Sequence, residues 1–178
     1  PWRVSTQPVR SNIPATTTSL IAREKEIALV REYLSKDDIR LVTLMGPPGI
    51  GKTRLSIESA RASLPDFPDG VFFVALAPLE HPSMMAPTIV QTLDYIEARD
   101  QSAREQLVDG IGEKHLLIVL DNCEHLIQAC AELAETLLRA CPNLKILATS
   151  REALSIQGET TWITPTLSLP DARAAALP

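Results

Sequence analysis

The residues best suited to chemistry form one run, Gly46-Pro47-Pro48-Gly49-Ile50-Gly51-Lys52-Thr53. It fits the pattern G-x-x-x-x-G-K-[ST] at every fixed position. The residue types explain one another. Glycines let the backbone curl so that its N–H groups point inward at phosphate oxygens. A helix starting near Gly51 adds the positive end of its dipole. Lys52 reaches the β- and γ-phosphates as a point charge, and the Thr53 hydroxyl is placed for Mg²⁺. The bland reading is a Gly/Pro turn that happens to end in Lys-Thr. A strand-like run before it and a helix-like run after it argue for the phosphate loop.

Two further groups stand where such a loop needs them. Asp121 ends the apolar run Leu116–Leu120, where phosphate-binding ATPases place a Mg²⁺ carboxylate; on its own it would read as a helix cap. The position after it, which holds a carboxylate in many fast ATPases, is Asn122, which is not a base. Glu124 is the nearest carboxylate, and His125 reads as a helix-start residue. The pattern favours binding over rapid turnover. Thr149-Ser150-Arg151 follows a later apolar run. Arg151 there suits bidentate contact with a γ-phosphate, or simply a solvated pairing with Glu152.

The elements that must position these groups alternate. Helical spacing of Ile27, Val30 and Leu34 predicts a helix over Arg23–Ser35. Strands are expected at Arg40–Met45, Val71–Leu76, Leu116–Leu120, Leu144–Thr149 and Thr160–Thr164. Further helices are expected at Gly51–Ser63, Pro82–Leu93, Gln101–Ile111 and Glu124–Ala140. Pro87, in the middle of its segment, weakens that prediction. Alternating strands and helices imply an α/β fold, a mainly parallel five-stranded sheet with helices on both faces. Residues 1–19, rich in Pro, Ser and Thr, read as an extended arm or linker rather than a packed element.

Composition bounds the rest. The chain has 178 residues, 17 basic and 22 acidic side chains and a net charge of −5, with 45% hydrophobic residues. That is one domain with a real core. The acidity argues against direct nucleic-acid contact by this segment, and no apolar run approaches the ~20 residues of a membrane span. Cys123, Cys130 and Cys141 form no CxxC pair and read as reduced core thiols of a cytoplasmic protein. The start at Pro1-Trp2-Arg3 and the end at Leu177-Pro178 suggest a piece of a larger protein.

Taken together, Ile21-Ala22-Arg23-Glu24, the loop GPPGIGKT, LLIVLDNCEH at 116–125 and LATSRE at 147–152 resemble the nucleotide-binding domain of STAND (NB-ARC-like) P-loop ATPases. The similarity is greatest to bacterial transcriptional regulators of the LuxR and SARP types. The resemblance implies a P-loop NTPase three-layer sandwich with strand order 5-1-4-3-2. It implies a nucleotide-binding domain over 20–170, with 171–178 beginning a helical domain. It implies ATP/ADP and Mg²⁺ as cofactors, bound by Ile21, Arg23, Gly46, Pro48, Gly49, Ile50, Gly51, Lys52, Thr53 and Arg54. Thr53 and Asp121 would hold the metal, and Lys52, Asp121, Glu124 and Arg151 would serve the chemistry. Ile21 to Glu24 would line the adenine; the family usually has Gly where this chain has Ala22. Winged-helix, sensor and DNA-binding parts would lie elsewhere in a parent chain, and ATP-bound copies would assemble into a homo-oligomer.

The expected function is thus a regulatory ATP/ADP switch with slow hydrolysis. The alternative is a phosphotransferase, although no Arg-rich lid segment stands out. A GTPase is disfavoured because no Asn-Lys-x-Asp follows a strand. A nucleotide-free relic is disfavoured by intact Lys52, Thr53 and Asp121.

Overall fold

The computed structural model describes residues 9–15, 23–95 and 100–166. Five parallel strands, β1 (Leu41–Met45), β2 (Gly70–Ala75), β3 (Leu116–Asp121), β4 (Lys145–Ser150) and β5 (Glu159–Ile163), form one sheet in the order β2-β3-β4-β1-β5. Read from the other edge this is 5-1-4-3-2, the order the family resemblance implies. The helices are α1 (Glu24–Ser35), α2 (Lys52–Ala62), α3 (Met85–Thr92), α4 (Ala103–Ile111) and α5 (Ile127–Ala140).

Strand alternation sends side chains to two cores. From β3, Leu117 and Val119 join Val42, Leu44 and Leu147 beneath α1 and α2, which contribute Val30, Leu34, Leu55 and Ala60. The alternate residues Leu116, Ile118 and Leu120 meet Ile89, Leu107, Leu133 and Leu137 of α3, α4 and α5 on the opposite face. Because both faces are covered, the central strands are apolar throughout rather than alternating. Cys123, Cys130 and Cys141 are buried free thiols. A hydrogen bond with Cys130 and burial hold the Cys123 thiol well above its ordinary pKa.

Two helices, α3 and α5, are shifted furthest from the starts their sequence patterns suggest. Pro82–Met84 form a 3₁₀ turn, and α3 begins at Met85. Pro87 therefore falls in the first helical turn, where its missing N–H has no intrahelical acceptor to lose. Likewise, Glu124 does not open the long helix. Cys123–His125 form a 3₁₀ turn, Leu126 breaks the helical path at φ −126°, ψ 28°, and α5 begins at Ile127. The break lets the His125 ring turn back to two carbonyls of the segment after β2, Leu76 O at 3.1 Å and Leu79 O at 3.2 Å.

Residues 9–15 run along the edge of β2. Val71 N donates to Arg10 O, and Ser11 forms a parallel bridge with Val71. The Asn12 side chain imitates a strand residue: Nδ2 donates to Phe73 O (2.8 Å), and Oδ1 accepts from Phe73 N (2.6 Å). This covers an edge that would otherwise offer open pairing positions. Asn12→Ala leaves both Phe73 groups to solvent. The expected cost is about 1 kcal/mol in urea unfolding, with faster amide exchange at Phe73. Unchanged exchange there would remove the pairing role.

Candidate functional site

Parallel registration brings the chemistry to one end of the sheet, the carboxyl ends of its inner strands. Met45 is level with Ser150, and Leu44 with Thr149; Leu120 pairs with Ala148. The residues following β1, the last residue of β3 and the last residues of β4 therefore emerge side by side. In open parallel sheets the carboxyl ends of the strands form the ligand crevice. A cleft of about 570 Å³ lies here, lined by Pro48, Gly49, Lys52, Thr53, Asn122 and Arg151, among others.

The loop from Gly46 to Gly51 takes its shape from glycine. Gly49 (φ +80°) and Gly51 (φ +93°) lie in the left-handed region that other residues enter at a cost. Gly51 caps α2, so Lys52 and Thr53 occupy its first turn, where backbone N–H groups lack helical acceptors. Lys52 is only 8% exposed. Its ammonium curls over the loop and donates to Gly46 O (2.7 Å) and Pro47 O (3.1 Å). Thr53 faces the cleft. Arg54 also lines it, but pairs with Glu58 at 3.3 Å one turn along α2.

Asp121, 8% exposed at the end of β3, is oriented by Thr149. The Thr149 hydroxyl donates to Asp121 Oδ1 at 2.7 Å and accepts from Asn122 N at 2.9 Å. One hydroxyl on β4 thus fixes both the carboxylate and the turn after it. Asn122 has φ +68°, ψ +55°, a conformation Asn tolerates better than most residues. Past it, Glu124 Oε1 meets Arg151 Nε at 3.2 Å, with side-chain exposures of 15% and 60%. Among the described residues, Glu124 Oε2 is buried without a hydrogen-bond partner.

The structure thus brings Pro48, Gly49, Gly51, Lys52, Thr53, Arg54, Glu124 and Arg151 into one cleft wall, with Asp121 beside it. Gly46 and Ile50 support the loop through their carbonyls. Arg23, only 2% exposed, is a strut: its Nη2 donates to Ile50 O (2.9 Å) and Pro165 O (3.0 Å), tying α1 to the loop and to the segment after β5. Ile21 and Ala22 lie outside the described residues. Arg23→Ala is expected to cost about 2 kcal/mol in urea unfolding, because two carbonyls lose a charged donor. Unchanged stability would mean that the strut is idle.

Sequence reasoning did not foresee three participants. Pro14 and Ala15 of the arm and Ile57 of α2 also line the cleft, and Arg61 of α2 donates to Pro14 O. Thr149 was marked by its place after an apolar run, but its bond to Asp121 depends on strand neighbours far apart in sequence. Among the described residues, no cluster of His, Cys, Asp and Glu could by itself hold a metal ion, and no helix is long and apolar enough to cross a membrane.

A parallel sheet with a phosphate-type loop after β1 and an Asp ending β3 defines a P-loop nucleotide-binding fold. More narrowly, the chain belongs to the AAA domain family, whose model matches residues 36–157. A Mycobacterium tuberculosis protein named as an HTH-type transcriptional regulator is 47% identical over 132 residues, 74% of this chain and 15% of that protein. A second M. tuberculosis protein is 41% identical over 152 residues, 85% of this chain and 38% of that protein. The chain thus spans well under half the length of either relative. Among solved structures, a STAND protein with a tetratricopeptide repeat sensor from Pyrococcus horikoshii has a TM-score of 0.56 at 18% identity, covering 89% of this chain and 25% of that one. The Aeropyrum pernix ORC2 protein, solved as ADPNP–ADP complexes, also has a TM-score of 0.56, at 22% identity, over 74% of this chain and 42% of that one. At these identities the structural likeness speaks for the fold.

Proposed function

We propose that this domain is a STAND-type regulatory switch that binds ATP and ADP with Mg²⁺ and hydrolyses ATP slowly. The observation that carries this reading is the cleft itself, where the glycine-shaped loop, Lys52, Thr53 and Arg151 converge beside the Thr149-held Asp121. The donor set suits the ligand. A curled loop and a helix N-terminus suit phosphate oxygens, and a hydroxyl with a carboxylate suits a hard divalent cation. In this reading Gly46, Pro48, Gly49, Ile50 and Gly51 form the cradle, while Lys52 leaves its two loop carbonyls to meet the β- and γ-phosphates. Thr53 and Asp121 hold Mg²⁺, which when bound neutralises charge on the phosphates. Arg54 flanks the cradle, and the stretch from Ile21 to Arg23 serves the adenine side.

Arg151 is the γ-phosphate sensor and Glu124 its resting partner. A triphosphate competes with Glu124 for Arg151; a diphosphate leaves the pair intact. That difference is the free energy by which ATP and ADP favour different arrangements of neighbouring domains. The relatives support a transcriptional regulator as the parent, with helical, winged-helix and sensor parts as intramolecular partners and a nucleotide-dependent homo-oligomer as the active form. In this reading the acidic domain, of net charge −5, does not itself touch DNA, and the protein works in the cytoplasm.

Calorimetric titration with ATP, ADP and GTP, each with and without Mg²⁺, tests this. Mg²⁺-dependent binding of both adenine nucleotides, weaker GTP binding and slow phosphate release are expected. No adenine nucleotide binding would end the proposal. Phosphate arriving on an acceptor other than water would favour a phosphotransferase.

A further inference from the structure

His125 makes an unusually informative set of contacts. Its Nε2 faces two carbonyl oxygens, Leu76 O at 3.1 Å and Leu79 O at 3.2 Å. Carbonyls only accept, so Nε2 carries the hydrogen. In the neutral ring Nδ1 is then an acceptor, and it lies 3.4 Å from Asn122 Nδ2. The two loops after β2 and β3 are thus joined through one imidazole whose tautomer is dictated by backbone oxygens. The consequence falls on Asn122. With Nδ2 turned to the ring, the other end of the amide, Oδ1, is left as the hydrogen-bond acceptor of a residue that lines the cleft.

Resting on the nucleotide-hydrolysis reading above, we propose that Asn122 Oδ1 orients the attacking water and that His125 is the positioning residue that fixes the amide in that sense. An amide can fill this role because the phosphoryl transition state is loose and asks chiefly for alignment of the nucleophile. The water oxygen bonds to the γ-phosphorus, the bond from phosphorus to the β–γ bridging oxygen breaks, and ADP leaves with the electron pair. The water proton passes to a γ-phosphoryl oxygen, since Asn122 accepts a hydrogen bond without taking the proton. The lack of a true base at Asn122 accounts for a slow reaction, and Glu124, which pairs with Arg151 in this structure, is the rival water-aligning group that the test separates from it.

The test measures single-turnover ATP hydrolysis and Mg-ADP affinity in the purified 178-residue protein. Asn122→Gly, which suits the left-handed backbone and removes the amide, is expected to slow hydrolysis at least tenfold with ADP affinity within about twofold. Asn122→Asp retains an acceptor and is expected to recover most of the rate lost in Asn122→Gly. His125→Ala slows hydrolysis severalfold, and adding it to Asn122→Gly causes no further loss, because the ring acts only through the amide. Thermal midpoints of all variants report folding, and the two Asn122 variants decide the catalytic claim even if His125→Ala fails to fold. Additive losses in the double variant overturn the positioning role. A normal rate in Asn122→Gly, above all with turnover abolished in Glu124→Gln, overturns the whole inference, as does tight Mg-ADP binding with no hydrolysis in the parent. Absence of nucleotide binding removes the underlying function instead.

Discussion

Lys52→Ala is expected to abolish the stabilisation that Mg-ATP or Mg-ADP confers on the fold under the proposed reading. A ligand present at 100 times its Kd stabilises a protein by about 2.7 kcal/mol, which for a domain of this size is roughly 5–10 °C in the thermal midpoint. The loss follows from the place of Lys52 in the cleft. The ammonium sits within the loop on Gly46 O and Pro47 O, so a phosphate that draws it away replaces two neutral acceptors with anionic ones, and charge-assisted bonds are the stronger kind. Without nucleotide the variant should unfold within about 1 kcal/mol of the parent, because the freed carbonyls border a cleft open to water. The experiment is a thermal melt of both proteins with and without saturating nucleotide. A variant whose midpoint still rises by the parent's amount would show that the loop is not where nucleotide binds.

The phosphate loop was legible because its chemistry is local. Glycines with left-handed backbone, a helix start and a lysine are adjacent in sequence, and the run Leu116–Leu120 announces a buried central strand. The parallel sheet followed from the alternation of strands and helices, and its strand order from the family resemblance. What escaped is what the sheet assembles from distant parts. Thr149 and Asp121 are 28 positions apart, and only the alignment of β3 with β4 puts the hydroxyl on the carboxylate. His125 looks like any helix-start polar residue until the loop after β2 supplies two carbonyls. The pairing of Asn12 with Phe73 spans 61 positions, and nothing in a Pro- and Ser-rich stretch announces which sheet edge will receive it. Ion pairs such as Glu124 with Arg151 depend in the same way on loop ends that meet only in the fold.

Thr149→Val should be the most disruptive single change near the cleft that leaves every residue proposed to touch phosphate or metal in place. The substitution keeps shape and removes one hydroxyl, which is buried. Two partners lose it at once: Asp121 Oδ1 its donor and Asn122 N its acceptor. A buried carboxylate without a donor costs more than a neutral group, so a loss of about 2–4 kcal/mol in urea unfolding is expected. Thr149→Ser, which restores the hydroxyl, should recover most of it. The two penalties are separable. In Asp121→Asn the charge is gone, so adding Thr149→Val to it should cost less than adding it to the parent, and the coupling energy of that cycle measures the carboxylate's share. Function should follow the same logic. With Asp121 free to rotate, the Mg²⁺ requirement of nucleotide binding weakens, while Lys52 and the loop continue to hold phosphate. If Thr149→Val unfolds within 0.5 kcal/mol of the parent, a size typical of surface changes, and keeps its Mg²⁺ dependence, then Asp121 is held by the strand end alone and the hydroxyl is incidental.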